Sequence, residues 1–254
     1  MKARLSFSVA LTLLLASTVS AQTTASSQAS DIQKRKSLWS KLEASISEVD
    51  RTLDGVLGVA IEDLSTGQKY ELRGDAVFPQ ASSIKIAVLA ELYHQNQQAL
   101  HGTAGKAKLT DMYTMQSADL VADSDIMGGL TPGVTRITNR DLATMMIAVS
   151  DNSATNVLID RVGMENVNGL LDGLGLRSTR LRRKMMDIKA ASEGRENIST
   201  PLEMLTLLET IYQGKVLDKD STVDFLKMLS THKSGFLARD LPDNVQIANK
   251  PGEL

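Results

Sequence analysis

Polar and apolar residues alternate along the chain with two different periods, and these periods predict where helices and strands form. From residue 31 to about 53, apolar residues recur every three or four positions, as on one face of an amphipathic helix. Residues 56–62 and 69–73 have strand character, and the Ser-Thr-Gly sequence at 65–67 favours a turn between them. The pattern therefore predicts a helix followed by a β-hairpin.

A long helical block comes next. Pro79 is well suited to the start of a helix, and nearly every segment from there to about Ser230 has helical period. The clearest helices are predicted at residues 139–149, 154–162 and 201–212. Strand character returns at 244–250, after Pro242.

This order of elements predicts an α/β protein of the α+β type. Residues 31–77 and 236–254 would form an α/β lobe built on one antiparallel sheet, and residues 78–235 would be inserted as an all-α lobe. Together the two lobes would make a single domain spanning residues 31–254.

The N-terminus has the pattern of a secretory signal peptide. Residues 1–21, MKARLSFSVALTLLLASTVSA, join a basic start to a short apolar run and to small residues before a cleavage site after Ala21. The apolar run is shorter than the roughly 20 residues that a membrane-spanning helix needs. We therefore predict a secreted or periplasmic protein with no membrane anchor after cleavage. The small polar residues 22–30 favour a flexible linker.

The composition narrows the classes of function. The chain has 28 Lys and Arg against 30 Asp and Glu residues and no basic stripe with interleaved aromatic residues, so nothing favours nucleic-acid binding. It has no cysteine, which excludes disulfides, thiolate metal sites and cysteine nucleophiles. The three histidines are scattered and form no zinc-binding motif. No metal or cofactor is predicted, and a monomer is expected.

Candidate chemistry begins with the sequence FPQASSIK at residues 78–85. Ser82 and Lys85 are three residues apart, so on a helix they share a face and come within reach of each other. A nucleophilic serine needs such a base, because its hydroxyl is weakly reactive until its proton is removed. The spacing alone is a weak signal, since Ser230 and Lys233 repeat it.

Two further motifs follow in order, Ser150-Asp151-Asn152 between two helical stretches and Lys250-Pro251-Gly252 after the last predicted strand. With Ser-x-x-Lys, this set resembles that of the class A β-lactamases and related serine hydrolases, with Lys-Pro-Gly in place of Lys-Thr-Gly. The likeness continues in FPQASSIKIAVLAELY, in LTPGVTRITNRDLATMMIAVSDNSATNVLID and in LPDNVQIANKPG. It implies a β-lactamase/penicillin-binding-protein-like fold and a β-lactam or peptidoglycan-like substrate that acylates Ser82.

The resemblance also implies the role of each site residue. The catalytic residues would be Ser82 as nucleophile, Lys85 as its base and Ser150 as a proton relay to the leaving nitrogen. Burial and the nearby charge of Lys250 would lower the pKa of Lys85 towards neutrality. The substrate-binding residues would be Asn152 for the amide side chain, Lys250 for positive charge, and Gly252 with the Glu253 N–H as the second oxyanion donor.

Residues 174–183, LGLRSTRLRR, and 199–201, STP, resemble the start and the end of the family's omega loop. We call residues 174–201 the omega-loop segment. The family carries there an Arg-x-Glu whose glutamate activates the water that releases the acyl-enzyme. Counting forward from Arg183 gives Met185 at that position and counting back from Pro201 gives Lys184, and neither can act as a base for water. Asp187 is the most plausible alternative carboxylate. The usual closing aspartate is Asn197, whose pairing with Arg183 would lose charge. Deacylation is therefore expected to be slow.

The third motif departs from the family as well. Pro251 replaces a Thr or Ser whose hydroxyl would bind a substrate carboxylate. The sequence stops at Leu254, where the family continues with two strands and a helix, so the sheet is expected to be truncated.

Several alternatives stay open from the sequence alone. Ser150-Asp151-Asn152 also suits a helix cap, and Lys-Ser-Gly at residues 233–235 competes as the third motif. In place of an efficient β-lactamase, the chain could be a penicillin-interacting or peptidase-like acylating protein, or a non-catalytic cell-wall ligand-binding protein.

Overall fold

The computed structural model describes residues 10–231, 233, 239–242 and 244–254, with side chains from residue 30 onwards. The chain divides into two compact units between Leu57 and Gly58. The first unit contains helix α1, Ala10–Thr52, which confirms the helix predicted from residue 31. Residues 22–30, predicted as a flexible linker, lie within α1, and they contain no glycine or proline that would stop a helix.

The second unit begins with the predicted β-hairpin. Strands β1, Val59–Asp63, and β2, Gln68–Leu72, pair antiparallel with Val59 opposite Leu72 and Asp63 opposite Gln68. Gly67 has a φ of 72°, which suits the tight turn that connects them. The hairpin prediction is therefore confirmed.

Two further ladders lie within the block predicted to be all α. Strand β3, Phe78–Pro79, pairs with β6, Ile198–Ser199, and β4, Met112–Thr114, pairs with β5, Arg136–Thr138. Strands of two or three residues are too short to show a period of two, so the sequence pattern missed them.

Helix α2, Lys85–Leu100, lies at the centre of this unit, and every residue from Ile84 to Tyr93 is buried. It packs against four other helices: α3, Asn139–Ala148; α4, Asn152–Val162; α5, Met164–Gly173; and α8, Lys219–Leu229. The remaining helices are α6, Ile188–Ser192, and α7, Pro201–Tyr212.

The helices predicted most clearly begin at local capping signals. Thr138 caps α3, Asp151 caps α4, and Thr200 caps α7, each through a side-chain oxygen that accepts a backbone N–H. Proline at the first position of α7 strengthens that start. The three helices predicted at 139–149, 154–162 and 201–212 are confirmed, apart from one or two terminal residues.

The strand predicted at residues 244–250 is absent from the part of that segment that the structure describes. The segment is irregular there, and Asn249 N donates to the carbonyl of Leu229 at the end of α8 rather than to a strand. No ladder joins the described residues of 31–77 to those of 236–254, so the single sheet predicted for these two segments is not formed between them. Among the described helices, none is long and apolar enough to cross a bilayer.

Candidate active site

Ser82 lies in a short 3₁₀ turn, Ala81–Ile84, directly before α2. The preceding Ala81 has a φ of 44°, a left-handed conformation that costs energy for a residue with a Cβ. The side chain of Ser82 is half-buried, and its hydroxyl makes no hydrogen bond with any residue that the structure describes. The hydroxyl is therefore not engaged by any residue that the structure describes, and it lines the cavity described below.

Lys85, the first residue of α2, is fully buried. Its Nζ donates to Ser150 O at 2.6 Å, to Ser150 Oγ at 2.9 Å and to Asn152 Oδ1 at 2.8 Å. The first two predicted motifs thus meet at one amine, which the sequence spacing of 65 residues alone does not guarantee.

Burial and, to a lesser extent, the positive charge of Lys250 together lower the pKa of Lys85 to about 7, against the opposing effect of Asp151. Burial also lowers the pKa of Lys250 to about 8, with a contribution from Lys233 and an opposing one from Glu253. The amine of Lys85 is therefore substantially neutral near pH 7, as a general base must be.

The Ser150-Asp151-Asn152 turn both caps a helix and contributes side chains to the site. Asp151 is fully buried and caps α4, accepting the N–H of Ala154 at 2.9 Å. Ser150 has a φ of 60°, and this left-handed turn aims its hydroxyl and the Asn152 amide at Lys85. The interpretation of this motif as a helix cap is thus confirmed for Asp151.

These residues surround a cavity of about 550 Å³. Its walls include all of the predicted catalytic and binding residues except Lys85, which lies behind the surface, and Gly252. The lining side chains are Ser82, Ser150, Asn152, Lys250 and Glu253, with Pro251, Leu254, Val149, Met185, Met186, Ile188, Asp123, Asp125, Arg183, Asn197 and Ala81.

Gly252 packs directly against the turn that carries Ser82. A Cβ at this position would lie 2.8 Å from Gln80 O, a distance that real Cβ atoms essentially never show, and 3.0 Å from Ser83 N. Only glycine lets the C-terminal segment approach the Ser82 turn so closely. The neighbouring Lys250 is 8% exposed and donates to Pro251 O at 2.8 Å.

The competing pair, Ser230 and Lys233, has a structural role instead. Ser230 Oγ donates to the carbonyl of Leu226, and Lys233 Nζ donates to the carbonyls of Leu229 and Thr231. These bonds satisfy carbonyls at the C-terminal end of α8.

The omega-loop segment places Met185 in the cavity wall, where it is 7% exposed. The side chain of Asn156 on α4 holds the Met185 backbone through two hydrogen bonds, of 2.8 and 3.1 Å. Asp187 accepts a backbone N–H as the cap of α6 and lines a separate cavity of about 260 Å³. It therefore does not lie in the wall of the Ser82 cavity.

The expectation that the Arg183 guanidinium pairs with Asn197, at a loss of charge, was wrong. The Arg183 guanidinium binds Glu196 through two bonds, Nε–Oε1 at 3.0 Å and Nη2–Oε2 at 2.9 Å. Asn197 instead accepts the N–H groups of Arg182 and Arg183 through Oδ1 and donates to the Arg183 carbonyl. The loop is therefore closed by an ion pair whose carboxylate lies one position before Asn197.

Sequence reasoning missed Asn156 and Glu196, because neither belongs to a motif and both act through contacts distant in sequence. The acidic pair Asp123 and Asp125 was also missed. Among the described residues, no three His, Asp or Glu side chains are close enough together to hold a metal ion.

Comparisons with known proteins show to which family the chain belongs. The model of the "Beta-lactamase enzyme family" matches residues 40–254. The chain is 24% identical to β-lactamase CARB-4 of Pseudomonas aeruginosa, covering 85% of this chain and 74% of that protein. It is 28% identical to β-lactamase AER-1 of Aeromonas hydrophila, covering 84% and 69%.

Solved structures with a similar fold come from the same group of proteins. A β-lactamase from Sphaerobacter thermophilus superposes with a TM-score of 0.74 at 29% identity, covering 85% of this chain and 79% of that chain. The L158E mutant of PBP-A, an acyl-enzyme complex with penicillin G, superposes with a TM-score of 0.73 at 26% identity, covering 84% and 78%. The α/β fold of the β-lactamases and penicillin-binding proteins is thus confirmed, and the chain belongs to the β-lactamase enzyme family, as a class A β-lactamase-like serine hydrolase.

Proposed function

We propose that the protein opens β-lactam rings by forming an ester on Ser82. The hydroxyl oxygen of Ser82 attacks the ring carbonyl carbon while its proton passes to the neutral amine of Lys85. The ring C–N bond then breaks, and the nitrogen takes a proton through Ser150. The observation that carries this proposal is the contact of Lys85 Nζ with Ser150 Oγ, one helical turn from a serine hydroxyl that faces the cavity.

The residues that line the Ser82 cavity would also bind the substrate. Asn152 would hold the amide of the acyl side chain, and Lys250 would attract the substrate carboxylate. The N–H groups of Ser82 and Glu253 would bind the oxyanion, with Gly252 allowing the close approach of their two segments. No cofactor takes part in these steps, and we propose that the protein acts as a monomer after export to the periplasm or medium.

We further propose that release of the ester is the slow step. A water molecule needs a base to attack the ester, and the cavity wall presents the thioether of Met185 where the family carries a glutamate. Asn197 cannot substitute, since its side-chain oxygen and nitrogen are both engaged by the loop backbone. The protein would therefore accumulate as an acyl-enzyme.

Intact-mass spectrometry after incubation with a fluorescent penicillin tests the proposal. The wild-type chain should gain the mass of one penicillin, and Ser82→Ala should gain none. Ser230→Ala is the matched control, because its serine has the same spacing to a lysine but is bonded within α8. Loss of the adduct in Ser230→Ala, with labelling retained in Ser82→Ala, would contradict the assignment.

A second candidate is a non-catalytic protein that binds a cell-wall ligand in the same cavity. The apolar Met185 in the wall favours it, because it removes the base for turnover. Reversible binding of penicillin by the wild-type chain without a covalent adduct would support this candidate over the enzyme.

A further inference from the structure

Two carboxylates at the rim of the Ser82 cavity have no partner within the described chain. Asp123 and Asp125 both line this cavity, and both are exposed. Neither carboxylate forms a hydrogen bond or an ion pair with a residue that the structure describes. Their charges are therefore available to a molecule that enters the cavity.

The backbone that carries these aspartates is held in place by the turn of the second motif. Asn152 N donates to Asp123 O at 3.3 Å, and Ser153 N donates to Ser124 Oγ at 2.9 Å. The buried carboxylate of Asp151 accepts two backbone N–H groups just after Asp125, at 3.1 and 2.9 Å. The backbone that carries the two carboxylates is thus held in place relative to Asn152, so little backbone ordering energy is lost when they meet a ligand.

The basic groups of the cavity do not cancel these charges. Arg183 is already paired with Glu196. Lys250 belongs to a different segment of the wall, near Glu253, and Pro251 offers no hydroxyl that would help it bind a carboxylate. The cavity therefore presents Lys250 together with Glu253 on the C-terminal segment, and the carboxylates of Asp123 and Asp125 beside Asn152.

We infer that the cavity selects zwitterionic substrates, which carry an ammonium group on the acyl side chain besides the carboxylate next to the ring. The inference rests on the proposed function, in which Asn152 holds the acyl side chain and so brings it beside Asp123 and Asp125. An exposed ion pair of this kind changes an affinity by about 2- to 5-fold.

Three penicillins that differ in a single substituent provide the test. Benzylpenicillin has a neutral side chain, ampicillin bears an α-amino group and carbenicillin an α-carboxylate. The second-order rate constant of adduct formation is followed by intact mass. In the wild type, the ratio of this rate constant for ampicillin to that for carbenicillin should be greater than one. Asp123→Asn and Asp125→Asn should each lower that ratio by about 2- to 5-fold. High salt should lower it too.

The variants are chosen to leave the backbone intact. Asp123 has a φ of 53°, a conformation that asparagine tolerates as well as aspartate. Asp220→Asn is the control, because Asp220 is exposed at the start of α8 and lies outside the cavity wall. It should leave the ratio unchanged and react with benzylpenicillin like the wild type.

Equilibrium binding of the same compounds to Ser82→Ala, by calorimetry, separates this inference from the proposed function. Preferential binding of ampicillin that Asp123→Asn and Asp125→Asn abolish supports the inference even if Ser82 is never acylated. An unchanged ratio in the double variant in both assays overturns it. Failure of all three compounds to bind or react overturns it as well.

Discussion

Asn156 and Met185 exchange two hydrogen bonds across the wall of the Ser82 cavity. The Met185 N–H donates to Asn156 Oδ1 at 2.8 Å, and Asn156 Nδ2 donates to the Met185 carbonyl at 3.1 Å. The backbone of the omega-loop segment is thus held at Met185, the position that counting from Arg183 assigns to the family's water-activating glutamate. A substitution of Met185 can therefore test the role of a side chain at this position.

Met185→Glu should accelerate release of the penicillin ester, because the fixed backbone presents the new carboxylate to the cavity that holds Ser82. General-base assistance is typically worth about 10²–10⁴-fold in rate, and imperfect aim should leave a gain of at least about 10-fold. The loss of adduct with time after removal of free penicillin, followed by intact mass, measures this rate.

Two further variants control this experiment. Met185→Gln has the size of the glutamate but no basic oxygen, so it should release the ester as slowly as the wild type. Asn156→Ala combined with Met185→Glu should lose the gain, because the loop backbone is no longer held. Equal release rates in Met185→Glu and Met185→Gln would show that the carboxylate does not reach the water.

The rate constant of acylation should depend on pH through the two lysines. Burial, with the charge of Lys250, lowers the pKa of Lys85 to about 7, so below this pH Lys85 keeps its proton and cannot accept another. The rate constant should therefore rise with pH up to about 7. It should fall above about 8, where Lys250 loses the charge that attracts the substrate carboxylate.

Lys250→Met distinguishes this explanation from a general effect of pH. The substitution removes a positive charge that lowers the pKa of Lys85, so the acidic limb should move to higher pH. The alkaline limb should disappear at the same time. The measurement is the pH profile of adduct formation with benzylpenicillin, and an acidic limb that stays in place would contradict the assigned coupling.

The parts of the fold that could be predicted are those encoded locally. Helix α3 follows its cap Thr138, α4 follows its cap Asp151, and α7 begins at Pro201, so these residues indicate where the helices start. Gly67 likewise indicates the hairpin turn. The motifs were found because their order along the chain is specific. Their meeting at Lys85 then follows from the packing of α2 against α4.

The parts that could not be predicted depend on partners distant in sequence. Strand β3 has only two residues, and it forms because β6 lies beside it, about 120 positions later. Residues 244–250 have strand composition but find no ladder partner among the described residues. Likewise, an arginine and a glutamate 13 positions apart reveal their ion pair only when the loop between them closes.

Gly252→Ala should slow acylation without unfolding the protein. The added Cβ would meet Gln80 O at 2.8 Å and Ser83 N at 3.0 Å, so the C-terminal segment must move away from Ser82. Misplacing the Glu253 N–H weakens the oxyanion site, whose donors are each worth about 10²–10³-fold in rate. A decrease of at least about 10-fold is expected in the rate constant of adduct formation.

Gly169→Ala is the matched control for this substitution. Gly169 lies within α5 with open space around its missing Cβ, so alanine should raise stability by about 0.5–1 kcal/mol through helix propensity. Acylation should be unchanged. Wild-type acylation by Gly252→Ala would show that the close approach of its segment is not needed.

Glu196→Gln should destabilise the omega-loop segment, because the 9% exposed side chain of Arg183 then loses its charged partner. Such a pair lies between an exposed ion pair, worth about 0–1 kcal/mol, and a buried one, whose disruption costs about 3–5 kcal/mol. We expect a loss of about 1–3 kcal/mol in the free energy of unfolding, measured by denaturant titration. Asp160→Asn breaks the more exposed pair with Lys184 and should cost less than about 1 kcal/mol.

Adding Asn197→Asp to Glu196→Gln then tests where the carboxylate must stand. In this fold the side chain of residue 197 binds the loop backbone and not the guanidinium, and its Nδ2 donates to the Arg183 carbonyl at 3.2 Å. An aspartate there would lose that bond and place its charge against a carbonyl oxygen, so the double variant should be no more stable than Glu196→Gln alone. Recovery of wild-type stability would show instead that Arg183 can turn to residue 197, and that the loop closes equally well with the carboxylate at either position.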